Sequence, residues 1–407
     1  MKIYISGISG TGMGPLALMA KQAGHDVYGS DLKAGAIYEE LIRAGIEVKI
    51  GKQDGEFLRE KMSEGVDWFV YTSALNSEHP ELKLARESGI KTTKRDDFTA
   101  FLVEELGLKM IAVAGTHGKT TTTAMIVWAG LKLGLPISYI VGTILGFAPS
   151  GAYHAGDKYF VYEADEYDRN FLKFHPWRAV IPFVSYDHPD IYASKIEYQD
   201  AFLQFESQSE KVIKAGFNEA VFNLAGEVRR KDAGLASEAI REIYREEGSA
   251  YENSEIIGAM NEFPGIGRRF EKIAEGVYSD YAHHPEEIRA TIEIAKEEAE
   301  RTVRKGVVVL YEPHQNTRQH EVLREYRDTF LGAEKVYWLP TFLTREDESL
   351  PILRPEDFID EISNREIIEA VKMNEMLAEK IRRDAREGYL VVLMSAGPAD
   401  EWLRAIF

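Results

Sequence analysis

The sequence predicts an α/β protein of three domains with mainly parallel sheets. A chain of 407 residues is too long for one ordinary hydrophobic core, since domains hold roughly 150 residues each. Short apolar runs alternate with stretches of helical length, an order typical of parallel sheets. Glycine-rich turns follow two of these runs, which is typical of nucleotide-binding folds.

The first domain opens with a strand, a glycine-rich loop and a helix. Residues 2–31 read KIYISGISGTGMGPLALMAKQAGHDVYGSD, which predicts a strand at Lys2–Ser6, a helix reaching Gly24 and a second strand ending at Asp31. This Rossmann-like opening can hold a diphosphate at the helix N-terminus. The glycine order is reversed from GxGxxG, which counts against a nicotinamide-dependent dehydrogenase. A further buried strand is predicted within residues 67–75.

The central domain is predicted around IAVAGTHGKTTTTAM, residues 111–125. An apolar run ends in a glycine turn, and Gly118, Lys119 and Thr120 then open an apolar segment of helical length. Backbone N–H groups, a lysine charge and a hydroxyl that can ligate Mg²⁺ suit the triphosphate of ATP. The spacing departs from GxxxxGK[ST], since Val113 stands in the place of the first glycine. We predict a central domain like the P-loop ATPases.

Carboxylates and a histidine follow two later apolar runs. Glu163 ends the run YFVYE, with more carboxylates in the ADEYD that follows, and SYDHPDIY with His188 comes after the run 179–184. Such side chains at strand ends beside a phosphate loop are suited to hard cations. Without cysteine, a metal must be held by oxygen or histidine. The sequence predicts Mg²⁺ here, and a solvated strand end is the alternative explanation of the acidic residues.

The third domain is predicted to be Rossmann-like, with a second parallel sheet. Its apolar runs lie in VYSDYAHHPEE, KGVVVLYEPHQNTR, EKVYWLP and GYLVVLMSAGPADEW, each followed by a polar or glycine turn. Pro285 suits the first turn of a long helix. The adjacent His283 and His284 favour substrate or structural contacts over a shared metal, because neighbouring residues seldom ligate one ion. The predicted domains are residues 1–107, 108–268 and 269–407.

Composition limits the partners of the chain. A net charge of −18 argues against nucleic acid or an anionic membrane surface. It still permits an anionic substrate, because exposed charges are screened beyond about 8 Å at physiological salt. The sequence shows no segment like a signal peptide and no apolar run of membrane length, which predicts a cytoplasmic protein. We expect a monomer or homodimer without nucleic-acid or membrane partners.

These segments together resemble the Mur ligase family, the ATP-dependent amide-forming enzymes of peptidoglycan synthesis, a process of cell-wall growth, cell shape and division. The resemblance covers nearly the whole chain and rests on GISGTGM, GTHGKTTT, EADEYD, DHPDIY, GIGRRFE, DYAHHPEE and EPHQNTR, in the order of the family. It implies a ligase that uses ATP and Mg²⁺ to join an amino acid or peptide to UDP-N-acetylmuramate through an acyl phosphate. The first domain would bind UDP, the second ATP and the third the amine.

The resemblance also implies a role for individual residues. The expected catalytic residues are Lys119, Glu163 and His188, and the expected metal ligands are Thr120, Glu163 and His188. The residues expected to contact ATP are Gly115, Thr116, His117, Gly118, Lys119, Thr120, Thr121, Asn218, Arg269 and Asp280. The residues expected to contact the other substrates are Gly10, Thr11, Gly12, Met13, Asp31, Ser73, Tyr281, His283 and Arg318.

The choice of amine leaves alternatives open. DYAHHPEE and GTHGKTTT favour the branch of the family that adds L-alanine. The branch that attaches a recycled tripeptide is the alternative, because Gln315 stands where the alanine branch usually has a second arginine besides Arg318. Phe183 and Ser185 also replace an Asn and a Glu that are usual in the family. A nucleotide-binding regulator without turnover is the alternative of another class, although the residues whose loss would mark it are all present.

Overall fold

The computed structural model describes residues 1–188, 191–344, 346–359 and 361–407. Pro189 and Asp190 of the DHPDIY motif therefore lie outside the described residues. The chain forms two compact units, the first from residues 1–222 and 231–264 and the second from residues 223–230 and 265–407. The domain ends predicted at residues 107 and 268 stay predictions. No helix within the described ranges is long and apolar enough to cross a membrane.

The first sheet is parallel, in the order β3-β2-β1-β4-β5. Its strands are β1 (Lys2–Ser6), β2 (Asp26–Asp31), β3 (Glu47–Ile50), β4 (Trp68–Tyr71) and β5 (Lys91–Lys94). Its helices are α1 (Gly14–Gln22), α2 (Tyr38–Arg43), α3 (Glu56–Glu64), α4 (Pro80–Glu87) and α5 (Arg95–Glu105). The two strands predicted first are confirmed. Strand order reverses at β1, and such a switch point opens a crevice at the carboxyl ends of the strands.

The second sheet has the order β11-β10-β6-β9-β7-β8, with β8 antiparallel to β7. Its strands are β6 (Lys109–Val113), β7 (Ile137–Ile140), β8 (Gly151–Ala152), β9 (Tyr159–Glu163), β10 (Arg178–Val180) and β11 (Val212–Ile213). Its helices are α6 (Lys119–Lys132), α7 (Lys195–Ser207), α8 (Glu227–Glu246) and α9 (Asn253–Asn261). The helix predicted after the phosphate loop is confirmed as α6. The loop lies between β6 and α6, with the end of β9 beside it.

The third sheet has the order β12-β13-β17-β14-β15-β16 and is parallel except for β12. Its strands are β12 (Glu271–Ala274), β13 (Val277–Asp280), β14 (Val307–Glu312), β15 (Lys335–Trp338), β16 (Ile368–Ala370) and β17 (Leu390–Ser395). Its helices are α10 (Pro285–Arg301), α11 (Asn316–Val322), α12 (Pro355–Ile359), α13 (Glu375–Arg386) and α14 (Ala399–Ile406). Helix α10 begins at Pro285, as predicted. The predicted three-domain α/β fold class is confirmed.

Hydrophobic burial explains why the central strands of these sheets form. Every residue of β14 and β17 is buried, because helices pack on both faces of a parallel sheet and leave neither face to water. Edge strand β16 has no fully buried residue. Polar side chains with chemical roles are therefore expected in the loops at the carboxyl ends of the strands and not within the strands.

A buried ion network around Glu242 joins α8 to the central sheet. Its carboxylate accepts hydrogen bonds from Arg178 Nε at 2.7 Å and Lys211 Nζ at 2.8 Å, and it also pairs with Arg245. Burial alone would raise the pKa of Glu242, but these cations lower the pKa to about 2. Because the ordinary value is 4.5, the carboxylate contributes stability that is present above that pH and is lost as the pH falls towards 2.

Glu242→Gln is expected to lower the free energy of unfolding by about 2–3 kcal/mol at pH 7, since it removes the counter-charge of three cations. The difference from wild type should shrink between pH 4.5 and pH 2. Chemical denaturation across this pH range measures it. Glu210→Gln is the control, because Glu210 is exposed and lies 3.9 Å from Arg178. Equal losses of stability in the two variants would contradict the assignment.

Candidate active site

The phosphate loop connects β6 to the N-terminus of α6. Gly118 precedes the helix with φ +83°, a left-handed conformation that favours glycine. A Cβ there would also lie 2.8 Å from Asp232 Oδ1 and 2.9 Å from Pro182 Cβ. Thr116 fixes the first half of the loop, because its N–H donates to Phe183 O at 2.7 Å and its hydroxyl donates to Ser185 O at 2.6 Å. The loop is thus shaped by the backbone around it.

Lys119 is the first residue of α6, and a buried carboxylate holds its side chain against the loop. Its Nζ donates to Gly115 O at 2.5 Å and lies 2.8 Å from an oxygen of Glu166, which is 1% exposed. Burial alone would lower the pKa of Lys119, but Glu166 and its acidic neighbours raise it above the ordinary value. Burial would likewise raise the pKa of Glu166, but Lys119 and His188 lower it. The pair is therefore ionised, and Lys119 carries a full charge at the helix N-terminus.

The residues predicted to hold Mg²⁺ fit such an ion. Thr120 Oγ1 donates to Glu163 Oε1 at 2.8 Å, so two of the three predicted ligands are in contact. The second oxygen, Glu163 Oε2, is buried and accepts no hydrogen bond from the described residues. A buried carboxylate oxygen without a donor suits a cation. Hydroxyl and carboxylate oxygens are ligands of the kind that Mg²⁺ prefers.

His188, the third predicted ligand, lies beside Glu166 and Asp187. Its Nε2 is 3.6 Å from Glu166 Oε1 and 3.7 Å from Asp187 Oδ2. Its backbone has φ +58°, an uncommon conformation for a residue other than glycine and one that clusters at functional sites. Glu166 therefore links Lys119 to His188.

His117, Thr121 and Asn218 are three further residues predicted to contact ATP. The rings of His117 and Phe183 stack with centroids 5.8 Å apart, and Thr121 lies in the first turn of α6. Asn218 is exposed, and its side chain accepts a hydrogen bond from Ala220 N within a short 3₁₀ turn. The roles of these residues stay predictions. Phe183 and Ser185 contact the loop through their backbones, which explains why the run 179–184 supplies only the short strand β10.

A cavity lies in the first unit, at the carboxyl ends of β1, β4 and β5. It has a volume of about 220 Å³, and the predicted substrate-binding residues that line it are Gly10, Thr11, Gly12, Met13 and Ser73. Asp31 instead accepts hydrogen bonds from Ser9 N at 2.9 Å and Ser9 Oγ at 2.7 Å, so it fixes the start of the loop. The N-terminus of α1 makes this cavity suitable for a phosphate group.

The C-terminal unit brings together three of the predicted residues. Arg318 Nη1 lies 2.6 Å from His283 Nε2, and His283 Nδ1 lies 3.1 Å from Tyr281 O. A carbonyl can only accept, so Nδ1 carries the proton and Nε2 accepts from the guanidinium. His314 is next to them, with its ring centroid 5.4 Å from that of His283. Burial, and then the neighbouring charges, lower the pKa of His314 to about 4, which leaves it neutral at physiological pH.

Asp280 and the two arginines of GIGRRFE lie in the same unit. Asp280 is buried and accepts from Phe270 N at 2.7 Å and Ala282 N at 2.8 Å. Burial raises its pKa, although Arg269 opposes the rise. Arg268 and Arg269 lie over the ring of Tyr281 at 4.7 and 5.2 Å from its centroid. These contacts fix the shape of the turn, and the predicted contacts of Asp280 and Arg269 with ATP stay predictions.

Comparison with known proteins identifies the family. The profile of the Mur ligase family catalytic domain matches residues 2–105, and that of the Mur ligase glutamate ligase domain matches residues 268–397. UDP-N-acetylmuramate--L-alanine ligase of Fusobacterium nucleatum is 30% identical across 97% of this chain and 94% of its own length. The same-named enzyme of Carboxydothermus hydrogenoformans is 30% identical across 98% of this chain and 94% of its own length. The chain belongs to the Mur ligase family.

Solved structures of Mur ligases share the fold. UDP-N-acetylmuramate-alanine ligase of Thermotoga maritima superposes with a TM-score of 0.78 at 23% identity, covering 100% of this chain and 98% of that chain. Murein peptide ligase of Psychrobacter arcticus gives a TM-score of 0.61 at 22% identity, with coverage of 100% and 98%. The three-domain architecture predicted from the sequence is that of this family.

Two residues that the structure places beside the predicted ones, Glu166 and Arg95, are not among the site residues that the sequence predicts. Glu166 lies three positions after Glu163 in EADEYD, and it is the carboxylate in direct contact with Lys119. In the sequence, Glu166 is marked only by its place in an acidic cluster. Such a cluster does not indicate which of its carboxylates is buried. Arg95 lines the glycine-rich cavity at the end of β5. The four-residue strand before it, Lys-Thr-Thr-Lys, has too little apolar character to mark a strand end.

Proposed function

We propose that this Mur ligase joins the carboxylate of UDP-N-acetylmuramate to the amine of L-alanine at the expense of ATP. The observation that carries the proposal is the assembly of the Lys119 ammonium, the Thr120 hydroxyl and the Glu163 carboxylate at the N-terminus of α6. The substrates follow from the names of the relatives that match almost the whole chain. The glycine-rich cavity of the same unit offers a site for the diphosphate of the sugar nucleotide.

The residues at the N-terminus of α6 suit a reaction whose first step brings two anions together. A carboxylate is a poor electrophile, so its oxygen first attacks the γ-phosphorus of ATP, which forms an acyl phosphate and releases ADP. The amine then attacks the acyl carbon, phosphate leaves, the amine loses a proton, and an amide remains. Both reactants of the first step are anions that repel each other. Lys119 neutralises part of this charge, and the N–H groups of α6 add to its effect.

The metal site has a supporting role in this scheme. Thr120, Glu163 and His188 would hold Mg²⁺, which when bound neutralises charge on the transferred phosphoryl group. Glu166 holds Lys119 at 2.8 Å and keeps it ionised. Thr116 fixes the loop through Ser185 O at 2.6 Å. These residues bind and orient the phosphates, and no residue of the chain needs to form a covalent bond.

We assign the binding of the amino acid to Arg318 and His283 in the C-terminal unit. Arg318 is a fixed cation there, and a guanidinium matches the geometry of a carboxylate through two parallel hydrogen bonds. His283 accepts from Arg318 at 2.6 Å and so orients it. Gln315, which replaces a second arginine, has φ +63° at the start of α11. One arginine in place of two favours the recycled tripeptide as the second candidate amine.

The amine is tested by measuring phosphate release from the purified full chain with ATP, Mg²⁺ and UDP-N-acetylmuramate. We expect release to depend on L-alanine, with kcat/KM at least about tenfold above that for L-alanyl-γ-D-glutamyl-meso-diaminopimelate, because one lost contact in a specific site costs at least about 1.4 kcal/mol. Omission of UDP-N-acetylmuramate is the control for ATP hydrolysis.

Two outcomes would contradict the proposal. Preference for the tripeptide would assign the chain to murein recycling. Tight binding of AMP-PNP without phosphate release for any amine would assign it to the regulator class.

A second control uses Arg318→Gln, which should raise KM for the amino acid more than it changes KM for ATP.

A further inference from the structure

Arg95 lies directly against the glycine-rich loop of the first domain. A Cβ built on Gly12 would lie 2.8 Å from Arg95 Nη1, so the guanidinium occupies the space that a side chain at position 12 would need. Arg95 also lines the 220 Å³ cavity beside the loop. A planar cation against this loop, in a cavity at the N-terminus of α1, is suited to a phosphate group.

A buried carboxylate fixes the orientation of this guanidinium. Arg95 Nε donates to Asp96 Oδ1 at 3.3 Å, and Nη2 donates to Asp96 Oδ2 at 3.3 Å. These bonds use one edge of the guanidinium and leave Nη1 turned towards Gly12. Asp96 is 2% exposed, so it cannot exchange this partner for water. The geometry of Arg95 therefore depends on where Asp96 is held.

The central domain holds Asp96 in place. Tyr162, on β9 of the second sheet, donates its hydroxyl to Asp96 Oδ1 at 2.5 Å. Tyr162 is also 2% exposed and directly precedes Glu163, the predicted metal ligand. Two polar contacts thus run from the end of β9 through Asp96 to Arg95, and the guanidinium of Arg95 lies against Gly12 in the loop of the first domain.

The other cation of the cavity is bound elsewhere. Lys94 is ion-paired with Asp168, a partner outside the glycine-rich loop. Arg95 has a second carboxylate near it, Asp165, but at 3.9 Å and half exposed, so that this pair adds little. Arg95 is therefore the cation whose position is determined by buried partners.

We propose that Arg95 binds the diphosphate of the nucleotide-sugar substrate and that Asp96 and Tyr162 are positioning residues that aim its guanidinium. The proposal rests on the proposed function, since the ligand is a nucleoside diphosphate. It goes beyond that function because the hydroxyl of Tyr162, which belongs to the ATP-binding domain, sets the affinity of a cavity in the other domain. Substrate binding and the strand that carries Glu163 are then physically linked.

The test is calorimetric titration of the metal-free full chain with UDP and with UMP. Arg95→Gln should weaken UDP binding at least about tenfold, since the charge-assisted contact of the guanidinium with phosphate is lost. Tyr162→Phe should weaken UDP binding about three- to tenfold, because it removes one hydrogen bond from a buried carboxylate. Both variants should bring the affinities for UDP and UMP closer together. Arg86→Gln, at an exposed position of α4, is the control for the charge change.

A double-variant cycle distinguishes positioning from a general loss of stability. Tyr162→Phe should have no further effect on UDP binding once Arg95 is Gln, whereas a merely structural effect would persist. Asp96→Asn is the second positioning variant if Tyr162→Phe unfolds. Wild-type affinity for UDP in Arg95→Gln would overturn the proposal, and so would an undiminished effect of Tyr162→Phe in the double variant. Absence of UDP binding in the wild type, with AMP-PNP still bound, would instead contradict the proposed function.

Discussion

Lys119→Ala is expected to reduce ligase turnover at least about a thousandfold, which corresponds to about 4 kcal/mol of lost transition-state stabilisation. Lys119 Nζ lies in the phosphate loop, 2.5 Å from Gly115 O and 2.8 Å from Glu166. Its charge offsets the repulsion between the substrate carboxylate and the γ-phosphate. Phosphate release at saturating ATP, UDP-N-acetylmuramate and L-alanine measures the loss.

The control for Lys119 must separate catalysis from folding. Alanine at this position leaves the buried Glu166 without its main counter-charge, which also destabilises the fold. The double variant Lys119→Ala with Glu166→Gln removes that charge, so it should regain stability in thermal unfolding without regaining turnover. Lys132→Ala changes an exposed lysine at the end of the same helix, paired with Glu262, and should leave turnover unchanged. Near-normal turnover in folded Lys119→Ala would refute the assignment of the loop.

Glu163→Gln is expected to lower turnover about a hundredfold and to raise the Mg²⁺ concentration needed for half-maximal phosphate release. Glu163 Oε1 accepts from Thr120 at 2.8 Å, and Oε2 is buried without a donor among the described residues. An amide keeps the shape but loses the charge that favours a divalent ion. Titration of Mg²⁺ at fixed ATP measures the effect.

A surface glutamate provides the comparison for Glu163. Glu246→Gln removes the same charge from α8, where the carboxylate pairs with Lys109 at the surface, and should leave the Mg²⁺ dependence unchanged. An unaltered Mg²⁺ dependence in Glu163→Gln would show that other groups hold the ion. The Glu163 experiment is independent of the Lys119 experiment, because it measures the Mg²⁺ dependence of phosphate release in addition to turnover.

Much of the fold could be predicted because local patterns and tertiary packing agree. Strand β1 and the end of β2 at Asp31 follow from apolar runs that stop at glycine or polar residues, and α10 begins at Pro285 because proline suits the first turn. The run 179–184 is the exception. Only its first two residues belong to β10, since Phe183 and Ser185 bond the phosphate loop instead of a neighbouring strand.

The candidate site could be predicted in part. The contact of Thr120 with Glu163 and that of Arg318 with His283 join residues from separate predicted motifs. Asp31 accepts a hydrogen bond from Ser9, and its predicted contact with substrate stays a prediction. Acidic residues in one short segment look alike in a sequence, because charge and spacing do not tell which of them faces inward.

The sequence by itself determined the first two strands with the glycine-rich loop between them, the phosphate loop with its helix, and the family, because each depends on residues close together in the chain. Only the tertiary structure decided that Glu166 is the partner of Lys119 and that Tyr162 reaches Asp96 across 66 positions. The physical reason is burial. A polar group removed from water must find a partner in space, and which partner it finds is set by how the sheets pack.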